Sequence, residues 1–104
     1  MSVPNSRLNV DLSPQARQDF SDILLTSRRQ WGAAQRSKYK TAIDQALVRL
    51  TKYPEIGRER DDLIKDLRAL AVEQHIIYYY VRPNVIRVER ILHARMDASA
   101  EFSP

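Results

Sequence analysis

Imidazole, phenol and guanidinium groups able to move protons or hold anions gather in the last third of the chain. His75 and His93, its two histidines, bracket HIIYYYVRPNVIRVERILH, a stretch that also holds Tyr78, Tyr79, Tyr80, Arg82, Arg87 and Arg90, with Arg95 just beyond it. An imidazole beside a guanidinium suits general acid-base work on a phosphodiester. Capping or hydrogen bonding is the plainer role for His93, and His75 is expected to face the core beside Leu92 as a satisfied structural histidine. Tyr78 and Tyr80 share one face with Arg87, a pattern that serves base stacking and ordinary cross-strand packing equally well. Other chemistry is excluded more firmly. The chain has no Cys, so it has neither a thiol nucleophile nor a disulfide framework. Its histidines and carboxylates lack metal-ligand spacing, so no metal and no cofactor are expected. Gly32 and Gly57 are the two glycines, too few for a phosphate-cradling loop.

These groups need a frame, and the local signals supply one. His75 to Val81 and Val85 to Leu92 are rich in β-branched and aromatic residues and are split by Pro83-Asn84, which reads as an antiparallel hairpin. Pairing Arg82 with Val85 puts His75, Ile77, Tyr79, Val81, Ile86, Val88, Arg90 and Leu92 on a core face. Ile76, Tyr78, Tyr80, Arg87, Glu89 and Ile91 then form a partly wet outer face. Arg7 to Leu12 alternates as a short edge strand. Ser13-Pro14 is a helix start, followed by Ala16, Phe20, Ile23, Leu24, Ser27 and Trp31 at helical spacing. Gly32 breaks the pattern, with Trp31 expected to close the base of a helical hairpin. A second helix then carries Tyr39, Ala42, Ile43, Ala46, Leu47 and Leu50 inward. Pro54 and Gly57 end it. Arg58 to Lys65 reads as a charged surface loop and Leu67 to Val72 as a further strand. The fold class is therefore α+β, a helical hairpin packed on a small antiparallel sheet in the order β-α-α-β-β-β.

The totals agree with one domain spanning residues 1–104, with 1–6 and 103–104 flexible. At 104 residues the chain can bury a core without metal or disulfide staples. Seventeen Lys plus Arg against thirteen Asp plus Glu give a net charge of +4, an excess that favours an acidic partner without naming one. No basic-then-apolar leader and no run of about 20 apolar residues is present, so the chain is read as soluble and cytoplasmic, with no membrane role.

Several motifs together resemble the ParE-type toxins of bacterial toxin–antitoxin pairs. They are Trp31-Gly32, Tyr53-Pro54-Glu55-Ile56-Gly57-Arg58, Asp61-Asp62-Leu63, Leu67-Arg68, Ile76-Ile77-Tyr78-Tyr79 and the run from Val88 to Asp97, and the match covers roughly Leu8 to Phe102. The resemblance implies a non-enzymatic toxin that poisons DNA gyrase and so blocks replication. It also implies neutralisation by a ParD-like antitoxin in a hetero-oligomer, and no direct sequence-specific nucleic-acid binding. The related RelE-type toxins share the fold and cut messenger RNA on the ribosome. Their lysine positions fall here on Leu67 and Ala69, their strand arginine on Ile76 and their terminal aromatic on Glu101 or Phe102. Only Arg95 matches. On this resemblance His93, Arg95, Met96 and Asp97 are expected to meet the target, and Phe20, Leu24, Arg28, Trp31, Arg68 and Arg90 the antitoxin. A ribosome-dependent RNase using His93, Arg95 and Arg90 is the rival reading, and an inactive antitoxin-binding module is a third.

Overall fold

Ser13 starts the first helix as its sequence position suggests. Its side-chain oxygen accepts the Ala16 amide at 2.9 Å, and Pro14 occupies the first helical position, where a missing N–H costs nothing. The computed structural model describes residues 9–102. Arg7, Leu8 and the ends expected to be flexible, 1–6 and 103–104, lie outside the described residues. The described elements are β1 (Asn9–Leu12), α1 (Pro14–Trp31), α2 (Ala33–Lys52), β2 (Arg58–Glu59), β3 (Arg68–Val72), β4 (His75–Val81), β5 (Val85–His93) and α3 (Ala98–Glu101). This is the expected β-α-α-β-β-β order with a two-residue strand and a one-turn helix added. None of the described helices is long and apolar enough to cross a membrane.

A single residue, Gly32, joins α1 to α2. Its φ of 90° and ψ of 175° fall in a region that only glycine enters without strain. Its N–H bonds Arg28 O at 2.9 Å and its carbonyl accepts the Arg36 amide at 3.1 Å, so helical bonding reaches the glycine from both sides. Pro54 disfavours helix at Tyr53, and α2 stops at Lys52.

The five strands lie in the order β1-β5-β4-β3-β2. The sheet is mixed rather than wholly antiparallel, because β1 runs parallel to β5, with Asn9 opposite Val85 and Leu12 opposite Val88. No tight turn joins these two strands, so nothing forces them antiparallel. The expected surface loop begins instead with β2, whose Arg58 and Glu59 pair with Ala69 and Arg68 of β3. Two charged residues carry no strand signal of their own, and only the neighbouring β3 makes them one.

The β4–β5 hairpin starts in the expected register. Arg82 N–H meets Val85 O at 2.9 Å, and the pairs Val81–Ile86, Tyr80–Arg87 and Tyr79–Val88 follow. The register then slips by one: Tyr78 pairs with Arg90, and Glu89 is left without a partner in a β-bulge. Beyond the bulge the expected faces are exchanged. Ile91 joins the core opposite Ile77, Arg90 and Leu92 turn to the outer face, and His75 stands opposite His93 rather than beside Leu92. The edge contacts that match this slip come from α1. Past Val88, where β1 ends, Ser13 Oγ donates to Glu89 O at 2.7 Å and the Asp19 carboxylate accepts the Ile91 amide at 2.9 Å. Side chains of the helix start thus satisfy an edge that a strand would otherwise cover.

Ile43, Leu50, Ile77, Tyr79, Ile86 and Val88 fill the layer between helices and sheet with no exposed surface. Burying each such aliphatic side chain contributes about 2 kcal/mol. The outer face, expected to be partly wet, holds a second core: Leu67, Tyr78, Leu92 and Ala98, with Phe102 packed edge-on against Tyr78 at 5.1 Å. The tail folds back over the sheet, which is why Tyr78 is only 2% exposed.

Candidate functional site

The end of the β4–β5 ladder, the β3–β4 turn and the helical hairpin enclose an open cleft of about 500 Å³. Trp31, Tyr39, His75 and His93 line it, with the carboxylates of Asp22 and Glu73. Because the bulge advances β5 by one residue, the two histidines are cross-strand partners, with ring centroids 5.1 Å apart and the rings edge to face. Tyr39 packs on His75 in the same way at 5.3 Å.

Tyr39 Oη accepts the Gln74 amide at 3.1 Å and shares a hydrogen bond with His75 Nδ1 at 2.5 Å, whose direction follows the imidazole tautomer. His93 Nδ1 accepts the Arg95 amide at 3.0 Å. An accepting Nδ1 leaves the His93 N–H on Nε2. Burial, with a smaller contribution from His93, lowers the His75 pKa to about 4, so this ring stays neutral at cellular pH. Burial likewise raises the Tyr39 pKa. No group of three or more His, Cys, Asp or Glu among the described residues can hold a metal ion. What the cleft offers chemically is two edge-packed imidazoles and a phenol beside two carboxylates. Tyr39 was legible only as a buried helix position; its bond to a histidine 36 residues away leaves no local signal.

After β5 the chain makes a tight turn. Met96 N–H bonds His93 O at 3.0 Å, and Asp97 caps α3 by accepting the Ser99 amide at 3.1 Å and its hydroxyl at 2.6 Å. Those bonds, the side-chain one first, lower the Asp97 pKa. Arg95 is exposed and its guanidinium has no partner among the described residues, while Met96 is 45% exposed. His93, which lines the cleft, thus shares one turn with Arg95, Met96 and Asp97.

The six residues expected to meet an antitoxin are not brought together as one face. Arg90 lies on the outer face, not the inner one, and is tied at both ends. Its Nε and Nη2 donate to Asp19 at 2.8 and 3.0 Å, and its Nη1 donates to Glu101 at 3.0 Å. Arg68 donates to the carbonyls of Gly57 at 2.8 Å and Glu55 at 3.1 Å. Phe20 and Leu24 are half-buried along α1. Arg28 and Trp31 are exposed near its end, and Trp31 at 70% exposure does not close the hairpin base. No residue between Ser27 and Tyr39 is buried, so the tip extends past the core and the helical stripe there has nothing to pack on.

Comparison with known proteins adds the family. Residues 10–98 match the family model described as the ParE toxin of the type II toxin-antitoxin system, parDE. Toxin ParE of Escherichia coli is 32% identical over 87 residues, covering 83% of this chain and 84% of that protein. Toxin ParE3 of Caulobacter vibrioides is 32% identical over 60 residues, 58% of this chain and 60% of that protein. Among solved structures, the chromosomal ParDE TA system from P. aeruginosa shares the fold, with a TM-score of 0.72 at 18% identity over 86% of this chain and 98% of that one. A family match spanning the fold from β1 to the start of α3, with a relative of the same length class, establishes that this chain belongs to the ParE toxins of type II toxin–antitoxin systems.

Proposed function

We propose that this toxin acts by binding rather than by catalysis, that DNA gyrase is its target, and that a ParD-like antitoxin neutralises it in a hetero-oligomer within the cytoplasm. The observation that carries the proposal is the turn from His93 to Asp97. It presents Arg95 without an internal partner and Met96 half-exposed, directly after the strand that anchors it. An arginine and a flexible thioether on a fixed turn are suited to a protein interface. Three of the four positions that carry cations in the RNA-cleaving relatives are apolar here, and only Arg95 matches. Leu67 is fully buried, Ala69 and Ile76 face the outer layer, and Arg90 is held by Asp19 and Glu101. For the antitoxin, the reading rests on the α1 side of the molecule, Phe20, Leu24, Arg28 and Trp31. Arg68 and Arg90 are available to it only by giving up internal bonds.

The test is supercoiling of relaxed plasmid by gyrase in the presence of the purified toxin, with and without a ParD-like antitoxin encoded beside it. Inhibition with accumulated cleaved DNA, reversed by the antitoxin, is the expected result. Unchanged supercoiling at concentrations that arrest growth, together with cuts in translated messages, would replace gyrase with the ribosome.

A further inference from the structure

Positive charge is unevenly distributed along the chain. Residues 23–43 hold Arg28, Arg29, Arg36, Lys38 and Lys40 and no Asp or Glu, against a net charge of +4 for the whole molecule, so the remainder is slightly acidic. Lys40 is neutralised by Asp44 at 2.6 Å. Arg28, Arg29, Arg36 and Lys38 have no hydrogen-bond or ion-pair partner for their side chains among the described residues. Arg28 and Arg36 are bonded through their backbones to Gly32 from opposite sides, which puts each one turn, about 6 Å, from the tip. Between them stands Trp31, 70% exposed.

We propose that the α1–α2 tip is a sequence-independent contact for nucleic acid, with the four cations meeting phosphates and the Trp31 indole stacking on a base. The proposal goes beyond the gyrase and antitoxin reading; Arg28 and Trp31 belong to both surfaces, so the contact is one made by the toxin free of antitoxin. A protein interface needs an apolar centre. The tip has one aromatic ring among Gln30, Gly32, Ala33, Ala34, Gln35 and Ser37. Cations around a single open π-face match a polyanion with flat rings. Trp31 also lines the cleft, where Asp22 and Glu73 repel such a ligand, which favours approach from the tip side.

Trp31 is the single tryptophan of the chain, so its fluorescence reports on the tip directly. The full chain is titrated with a single-stranded oligodeoxynucleotide of about 20 residues, a duplex of the same length, and polyglutamate of equal charge. The single strand is expected to quench Trp31. Its affinity should fall roughly fifty-fold between 50 and 200 mM salt, as about four phosphate contacts require. Arg28→Glu with Arg36→Glu should weaken binding by about tenfold or more, and Arg28→Gln with Arg36→Gln by less, while circular dichroism stays unchanged. Absence of binding at low salt, equal affinity in wild type and both double variants, or polyglutamate that binds and quenches as well as the oligonucleotide would overturn the proposal. The last result would make the tip a surface for an acidic polypeptide.

Discussion

His75 and His93 stand opposite each other at the end of the β4–β5 ladder, 5.1 Å apart, where an unbroken register would set Leu92 against His75. The slip that pairs them also hands the Ile91 amide to Asp19 and turns Arg90 toward Glu101. One residue skipped in the ladder, Glu89, thus links the cleft, the helix-to-strand edge and the tail.

The neutral state of His75 makes stability depend on pH. Its folded pKa of about 4 lies below the ordinary 6.5, so the unfolded chain binds the extra proton first as pH falls. The contribution is complete above pH 6.5 and is lost as the pH drops through 4. Melting temperature should therefore fall over this window more steeply for wild type than for His75→Gln. Parallel curves from thermal melts would contradict it.

Arg90 joins α1, β5 and α3, with side-chain exposure of 19% against 14% for Asp19. Arg90→Ala should destabilise by about 3 kcal/mol in urea titrations, since it leaves the Asp19 carboxylate buried with only the Ile91 amide. Arg90→Lys should restore only part of this, because an ammonium cannot reproduce the fork that reaches both carboxylates. Limited proteolysis should cut the 98–102 tail sooner in the alanine variant.

Gly57 and Tyr79 form a second coupled pair. Tyr79 Oη donates to Pro54 O at 2.7 Å and accepts the Gly57 amide at 2.9 Å. A Cβ on Gly57 would lie 2.6 Å from Cε1 and 2.8 Å from Cζ of a ring with no exposed surface. Gly57→Ala and Tyr79→Phe should each destabilise by about 2 kcal/mol, the first by overpacking and the second by stranding two backbone groups. The double variant should fall short of the sum, because removing Oη relieves part of the crowding. A denaturant-melt cycle measures the coupling.

If the exposed turn meets gyrase, Arg95→Glu should weaken gyrase inhibition by about tenfold or more while leaving antitoxin affinity within about twofold. Titration in the supercoiling assay and calorimetry with the antitoxin read the two separately. Equal loss in both would move the antitoxin onto this turn.

The elements set by local chemistry were legible in the residues. Ser13-Pro14, the inward stripe from Tyr39 to Leu50, the break at Gly32 and the Arg82–Val85 turn all appear where the sequence puts them. What escaped was decided between elements. The bulge at Glu89 accompanies contacts from Ser13 and Asp19, more than seventy positions away. β2 exists because β3 lies beside it. Trp31 fits a buried stripe by spacing, yet no core reaches under it. For the site, His93 and Arg95 were visible as residues, but the His75–His93 pair and the internal ties of Arg68 and Arg90 depended on that register.

The one-residue join at Gly32 carries a thermodynamic consequence. A flexible loop between α1 and α2 would lose conformational entropy whenever a ligand settled on it. Here Arg28 and Arg36 are bonded through their backbones to the same glycine. Association at the tip restricts side-chain rotamers and leaves the backbone as it was.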